Sequence, residues 1–101
     1  MTKTLVANIT DIAPGTTKQV AFEDEDILLC NVGGTVYAIN DVCTHDGGNL
    51  DQGELDGCEI ECPRHGARFD VRTGEVKALP AVIPVAIYRV VREGDDLFLE
   101  V

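Results

Sequence analysis

Apolar residues in this chain come in runs of a few positions, each broken by glycine, proline or an acidic cluster, and no segment keeps a helical period over a dozen residues. That pattern points to a mostly β chain of short strands and turns. Lys3 to Ile9 reads as an opening strand, and Asp11 to Thr17, with Pro14 and Gly15, as a turn into a strand from Lys18 to Phe22. The acidic run Glu23 to Asp26 reads as a solvated turn. Ile27 to Val32 and Thr35 to Ile39 flank Gly33-Gly34, the clearest hairpin, because paired glycines supply the positive φ angles of a tight turn.

From Asn40 to Gly57 the chain is rich in Asp, Asn and Gly, which implies irregular backbone, and loops of this length usually carry function. Glu59 to Cys62 and Ala67 to Val71 read as short strands around a second loop, and Arg72-Thr73-Gly74 as a turn before Glu75 to Lys77. Ala78 to Pro84 contains two prolines and is expected to run as an extended connection. Val85 to Arg92 and Leu97 to Val101 then form a final hairpin. The middle block, about 41–77, is thus inserted between two β halves of a single domain spanning 1–101, the number of cores that 101 residues allow.

Eight basic residues against eighteen acidic ones give a net charge of -10, which would repel nucleic-acid phosphate and anionic membrane surfaces. The charge serves either simple solubility or steering onto a basic protein surface. No window approaches the roughly 18 apolar residues of a membrane span, and MTKTLVANIT lacks the apolar stretch of an export signal, so the expected location is cytoplasmic. In that compartment four cysteines point to metal or redox chemistry rather than to a disulfide scaffold.

The spacing of those cysteines narrows the chemistry. The two histidines of the chain each follow a cysteine closely, as Cys43-Thr44-His45 and as Cys62-Pro63-Arg64-His65. Two loop tips with the same donor types can fold together and present two sulfurs and two nitrogens to a four-coordinate site or a cluster. Zinc accepts such a set in a tetrahedral structural site. A 2Fe-2S cluster in which two His replace two Cys on one iron requires one thiolate and one imidazole from each loop, and the C-x-H and C-x2-H pair meets that demand. Cys30 and Cys58 are left outside either set. No nucleophile with a paired base is apparent, so the chain reads as a carrier and not an enzyme.

CTHDGGNL followed by CPRHGARFDVRTG resembles the two ligand loops of the Rieske family, and the later strands extend the resemblance over nearly the whole chain. The resemblance implies an all-β Rieske-type fold, an antiparallel β-sandwich or barrel carrying an inserted cluster-binding subdomain made of the two loops. It implies that Cys43 and Cys62 bind an inner, redox-silent iron and that His45 and His65 bind the outer iron, near the surface. Respiratory members carry an extra cysteine in each loop, joined as a disulfide, whereas Gly48 and Arg64 stand at those places here. Those members also aim Ser and Tyr hydroxyls at cluster sulfur where this chain has Ala67 and Phe69, which implies a low potential. Gly47, Gly48 and Gly66 are expected both to turn the chain and to let backbone amides approach the cluster. Pro80 resembles the proline loop that covers the cluster. Arg64, Arg68 and Arg72 either pair with Asp46, Asp51 or Glu54 and so tie the loops, or stay solvated.

The implied role is that of the ferredoxin in bacterial aromatic ring-hydroxylating dioxygenase systems. Its donor would be a flavin-dependent ferredoxin reductase, its acceptor a terminal Rieske non-haem iron oxygenase, and the carrier itself is expected to be a monomer. Two alternatives are the small Rieske-type subunit of assimilatory nitrite reductase and, in a different class, a structural zinc-binding interaction module.

Overall fold

The computed structural model describes residues 2–100. Along them run β1 (Lys3–Asn8), β2 (Thr17–Phe22), β3 (Glu25–Val32), β4 (Thr35–Asn40), β5 (Leu55–Asp56), β6 (Glu59–Glu61), β7 (Arg68–Asp70), β8 (Val76–Ala78), β9 (Ile87–Glu93) and β10 (Asp96–Glu100). The first, second, third, fourth, ninth and tenth strands make one antiparallel sheet in the order β1-β10-β9-β4-β3-β2, whose two edges come back toward each other as a nearly closed barrel. The other four form a small antiparallel sheet, β5-β6-β7-β8, inserted between β4 and β9. This is the all-β antiparallel barrel with an inserted subdomain that the resemblance leads one to expect. No helix among the described residues is long and apolar enough to cross a membrane.

The longest apolar run explains how the two sheets meet. Ile27, Leu28, Leu29 and Cys30 lie consecutively in β3 and are all fully buried, which a strand with one wet face could not achieve. Successive side chains point to opposite faces. Ile27 and Leu29 therefore enter the barrel with Ile12, Phe22, Val36, Ala38, Leu97 and Leu99. Leu28 and Cys30 enter a second core with Ile39, Leu50, Ile60, Phe69 and Val71, beneath the inserted sheet. β4 repeats the division, Val36 and Ala38 facing inward while Tyr37 and Ile39 face the insert. The shared wall β3-β4 is closed by Gly33 and Gly34, with φ of 59° and 100°, in the register Val32 to Thr35 that the hairpin reading requires.

Several boundaries differ from the sequence reading. Only Glu23 and Asp24 make the acidic turn, both with positive φ, while Glu25 and Asp26 already pair with Phe22 and Ala21. A two-residue turn places Ile27 opposite Val20, and a longer one would shift that pairing. β1 stops at Asn8, because Asn8 caps a 3-10 turn over Ile9–Asp11: its side chain accepts from the Thr10 amide while the Asp11 carboxylate accepts from its own. Leu55 and Asp56, expected to be irregular, form a strand with Ile60 and Glu59 around Gly57. Val85 and Ala86 are not part of β9. The Val85 amide donates instead to the Gly74 carbonyl at 2.9 Å, and the Val85 side chain fills the second core. The last turn is reduced to Gly94 and Asp95, and Val101 lies outside the described residues.

Truncating the shared wall should separate the two cores. Leu29→Ala and Leu28→Ala are each expected to cost about 2–5 kcal/mol in denaturant unfolding. The Leu28 variant alone is expected also to loosen amide protection in 43–48 and 62–67, read by hydrogen exchange.

Candidate metal centre

Two loops, 43–48 and 62–67, share one backbone frame. In the first, the Cys43 amide donates to the Gly48 carbonyl and the Gly47 amide to the Cys43 carbonyl, each at 2.7 Å. In the second, the Cys62 amide donates to the Ala67 carbonyl at 2.7 Å and the Gly66 amide to the Cys62 carbonyl at 3.0 Å. Reversing the chain after that turn, so that the Cys amide meets the carbonyl of the residue beyond the glycine, takes a left-handed residue, and Gly47 and Gly66 supply it with φ of 76° and 78°. The local signal is Cys-x3-Gly, present in both loops. Histidine enters this common frame two residues after Cys43 and three after Cys62.

The frame buries sulfur and exposes nitrogen. Cys43 and Cys62 are buried, uncrosslinked, and part of the second core with Cys30, Leu50, Phe69 and Ala81. Burial, followed by the neighbouring Cys62 sulfur, pushes the Cys43 thiol up. His45 and His65 are exposed, their ring centroids 5.3 Å apart and their planes nearly perpendicular at 87°. One ligand atom each from Cys43, Asp46 and Cys62 lies within 4.8 Å of the others, a set that includes neither imidazole.

The first loop is closed by a residue the sequence reading did not single out. Asp41 is buried, and its Oδ1 accepts from the Leu50 amide at 2.7 Å while Oδ2 accepts from Asn49 at 3.3 Å and from Gln19 on β2. The loop is thereby tied to its own start and to the barrel. Thr44 Oγ1 donates to the Ile83 carbonyl at 2.6 Å and so holds the proline segment against the first loop. In that segment Ala81 is the buried anchor, Pro80 is half-buried, and Leu79, Val82 and Ile83 are 76%, 75% and 59% exposed.

Of the arginines, Arg64 alone meets one of its expected partners. Its Nε donates to Asp46 Oδ2 at 2.6 Å and its Nη2 to Oδ1 at 3.2 Å, which, with the Gly48 amide, holds the Asp46 carboxyl well below the usual range. Arg68 pairs within the small sheet with Asp56, Glu59 and Glu61, and Arg72 with the buried Asp70. Among the described residues Asp51 and Glu54 pair with none of the three; strand register fixed the nearer acids first. Cys30 and Cys58 stay outside the sulfur pair's donor set. Cys30 points from β3 into the second core, where burial and then the charge of Asp41 push its thiol up to about 12.

A single zinc ion needs its donors around one point, with Zn–S near about 2.3 Å and Zn–N near about 2.0 Å. Here the paired sulfurs lie inside and the paired imidazoles outside, an arrangement suited to an elongated group with a sulfur end and a nitrogen end. Residues 2–89 match the Rieske 2Fe-2S domain family. The chain belongs to that family. It is 42% identical over 102 residues to the ferredoxin component of biphenyl 2,3-dioxygenase of Rhodococcus jostii strain RHA1, covering 99% of this chain and 94% of that one. The ferredoxin of carbazole 1,9a-dioxygenase from Nocardioides aromaticivorans IC177 superposes with a TM-score of 0.94 at 38% identity, covering 98% of this chain and 97% of that chain. A further solved structure, a complex of reduced oxygenase and oxidized ferredoxin in carbazole 1,9a-dioxygenase, matches with a TM-score of 0.91 at 33% identity over 96% of this chain and 91% of that one. A putative small subunit of an NADPH nitrite reductase covers both chains fully with a TM-score of 0.85, but at 18% identity it shares the fold alone. A Rieske domain carries one 2Fe-2S cluster held by Cys and His, and the buried sulfurs and exposed imidazoles of this chain fit that group.

Thiol labelling separates the two spare cysteines. With its thiol raised to about 12, Cys30 carries almost no thiolate near neutrality and is expected to stay unmodified by iodoacetamide in the native protein, while half-buried Cys58 is modified. Peptide mass spectrometry before and after denaturation reads both sites.

Proposed function

We propose that this chain is a soluble one-electron carrier of the cytoplasm, the ferredoxin of an aromatic-ring dioxygenase system, whose Rieske cluster is held by Cys43, His45, Cys62 and His65. The observation that carries the reading is the division of the site, with buried sulfurs below and two exposed imidazoles set edge to face, their centroids 5.3 Å apart. Identity above 30% to two dioxygenase ferredoxins along almost their whole lengths supports it. When bound, the cluster accepts and releases a single electron.

The protein's own residues supply the rest of the function. Cys43 and Cys62 bring two thiolates into a water-poor core, while His45 and His65 form the only part of the ligand set at the surface, where a partner can approach. The exposed Leu79, Val82 and Ile83 of the proline segment offer apolar surface that excludes water when a partner docks, and Thr44, next to His45, ties that segment to the first loop through Ile83. A flavin-dependent reductase is the donor and a terminal Rieske non-haem iron oxygenase the acceptor. Both use this face in turn, so binding is brief. The net charge of -10 steers the encounter toward basic surfaces.

Ala67 and Phe69 are buried beneath the second loop and bring no hydroxyl to the cluster, so its electron-rich reduced state lacks two stabilising hydrogen bonds. The potential therefore falls at the lower end of the roughly -150 to +300 mV Rieske range.

Absorption and EPR spectra of the purified protein test the reading. A red-brown protein is expected, with a rhombic signal of low average g after dithionite reduction. Cys43→Ser should be colourless, and His65→Cys should raise the average g. A colourless, EPR-silent wild type holding stoichiometric zinc would overturn it in favour of an interaction module. Ala67→Ser is expected to raise the midpoint potential in a redox titration.

A further inference from the structure

The two ligand loops face each other without a backbone connection. Among the described residues no main-chain hydrogen bond runs between 43–48 and 62–67, and all four cysteines are free. Direct polar contact between the loops runs through Asp46. Arg64 grips both carboxylate oxygens, Nε to Oδ2 at 2.6 Å and Nη2 to Oδ1 at 3.2 Å, and His65 Nδ1 lies 3.6 Å from Oδ2. The carboxylate is itself held inside its loop, because Oδ1 also accepts the Gly48 amide at 2.9 Å.

Gly48 completes the arrangement. Its backbone is not in the left-handed region, so conformation does not demand glycine there. The place of the Arg64 guanidinium does. A Cβ at this position would stand 2.6 Å from Arg64 Cζ, 2.7 Å from Nη2 and 2.9 Å from Nε. The guanidinium lies against the bare Cα, and a side chain at 48 would displace it from the place it holds beside Asp46.

We propose that Asp46, Gly48 and Arg64 form a positioning clamp, a bidentate ion pair seated on a glycine, that holds the two ligand loops together across the cluster and whose two charges bias its potential in opposite senses. The clamp rests on the ligand assignment proposed above. An exposed pair of this kind adds little to global stability, so its effect is not on unfolding of the barrel. What it restrains is local opening, the separation of one loop from the other that would release the cluster. The planar fork matters for that, since two parallel bonds fix direction as well as distance, and a lysine could not replace both. The charges act separately. A reduced cluster carries one more negative charge, so the Arg64 cation favours reduction and the Asp46 anion opposes it.

These consequences are distinct from loss of packing. Wild type, Arg64→Gln, Asp46→Asn, the double variant and Gly48→Ala are compared as holoproteins. The readouts are the decay of the visible band in excess chelator at about 50 mM and about 1 M NaCl, and the midpoint potential. Each variant is expected to lose its cluster roughly threefold faster than wild type at low salt. High salt should bring wild type toward the variants and leave the charge-deleted ones unchanged. Arg64→Gln should lower the potential, Asp46→Asn raise it, and the double variant return near wild type. Gly48→Ala keeps both charges and probes placement alone, and matching far-UV circular dichroism keeps the effect within the loops. Equal retention in a red-brown wild type and all variants, or potentials that move the same way in both single variants, would overturn the clamp alone. A wild type that binds no cluster would overturn the ligand assignment and the clamp with it.

Discussion

Burying one strand on both faces is the constraint from which the architecture follows. Four consecutive apolar side chains in β3 each bring about 1.5–3 kcal/mol only if fully removed from water. One sheet wrapped into a barrel covers Ile27 and Leu29, but Leu28 and Cys30 then face outward and need a second layer. The inserted sheet is that layer. Its smallness is no handicap, because it borrows Leu28, Cys30 and Ile39 from the barrel wall and adds Ile60, Phe69 and Val71 from the inserted segment. The site sits where it does because the sulfurs of Cys43 and Cys62 belong to this same second core, at its open end.

The loops are positioned by polar groups whose donors and acceptors are matched. Asp41 joins the first loop to β2, Thr44 joins it to the proline segment, and Asp70 with Arg72 organises the turn that leads to Gly74 and Val85. No buried side-chain nitrogen or oxygen among the described residues lacks a partner. Each of these acids would be costly to bury alone, and each is surrounded by amides or a guanidinium that offset the cost. The result is a pair of loops held from outside by the barrel and from each other by one ion pair.

Much of this was legible in the amino-acid order, and the reason differs from place to place. Gly33-Gly34 announces a hairpin because few other residues tolerate its angles. Cys43-x-His45 and Cys62-x2-His65 announce a ligand set because sulfur and imidazole rarely recur together by chance. Asp41 was invisible, since one aspartate among several in an Asp-rich loop becomes a tether only through Gln19, Asn49 and Leu50, and that meeting depends on tertiary structure. Glu25 and Asp26, acidic like the turn before them, belong to β3 because strand register, set across the sheet by Val20 and Ile27, decides where the turn ends. The partners of Arg68 are hidden in the sequence for the same reason, as sheet pairing alone brings it Glu59 and Glu61 on the adjacent β6 and Asp56 on β5 beyond.

The barrel core contains none of the four residues proposed as ligands. Ile12, Phe22, Ile27, Leu29, Val36, Ala38, Leu97 and Leu99 close on one another without help from either loop. The core inside the barrel can therefore close while iron and sulfide are still absent, with the two loops carried on its outer layer. A cluster would then be added to a barrel whose interior is already packed, instead of being needed to pack it.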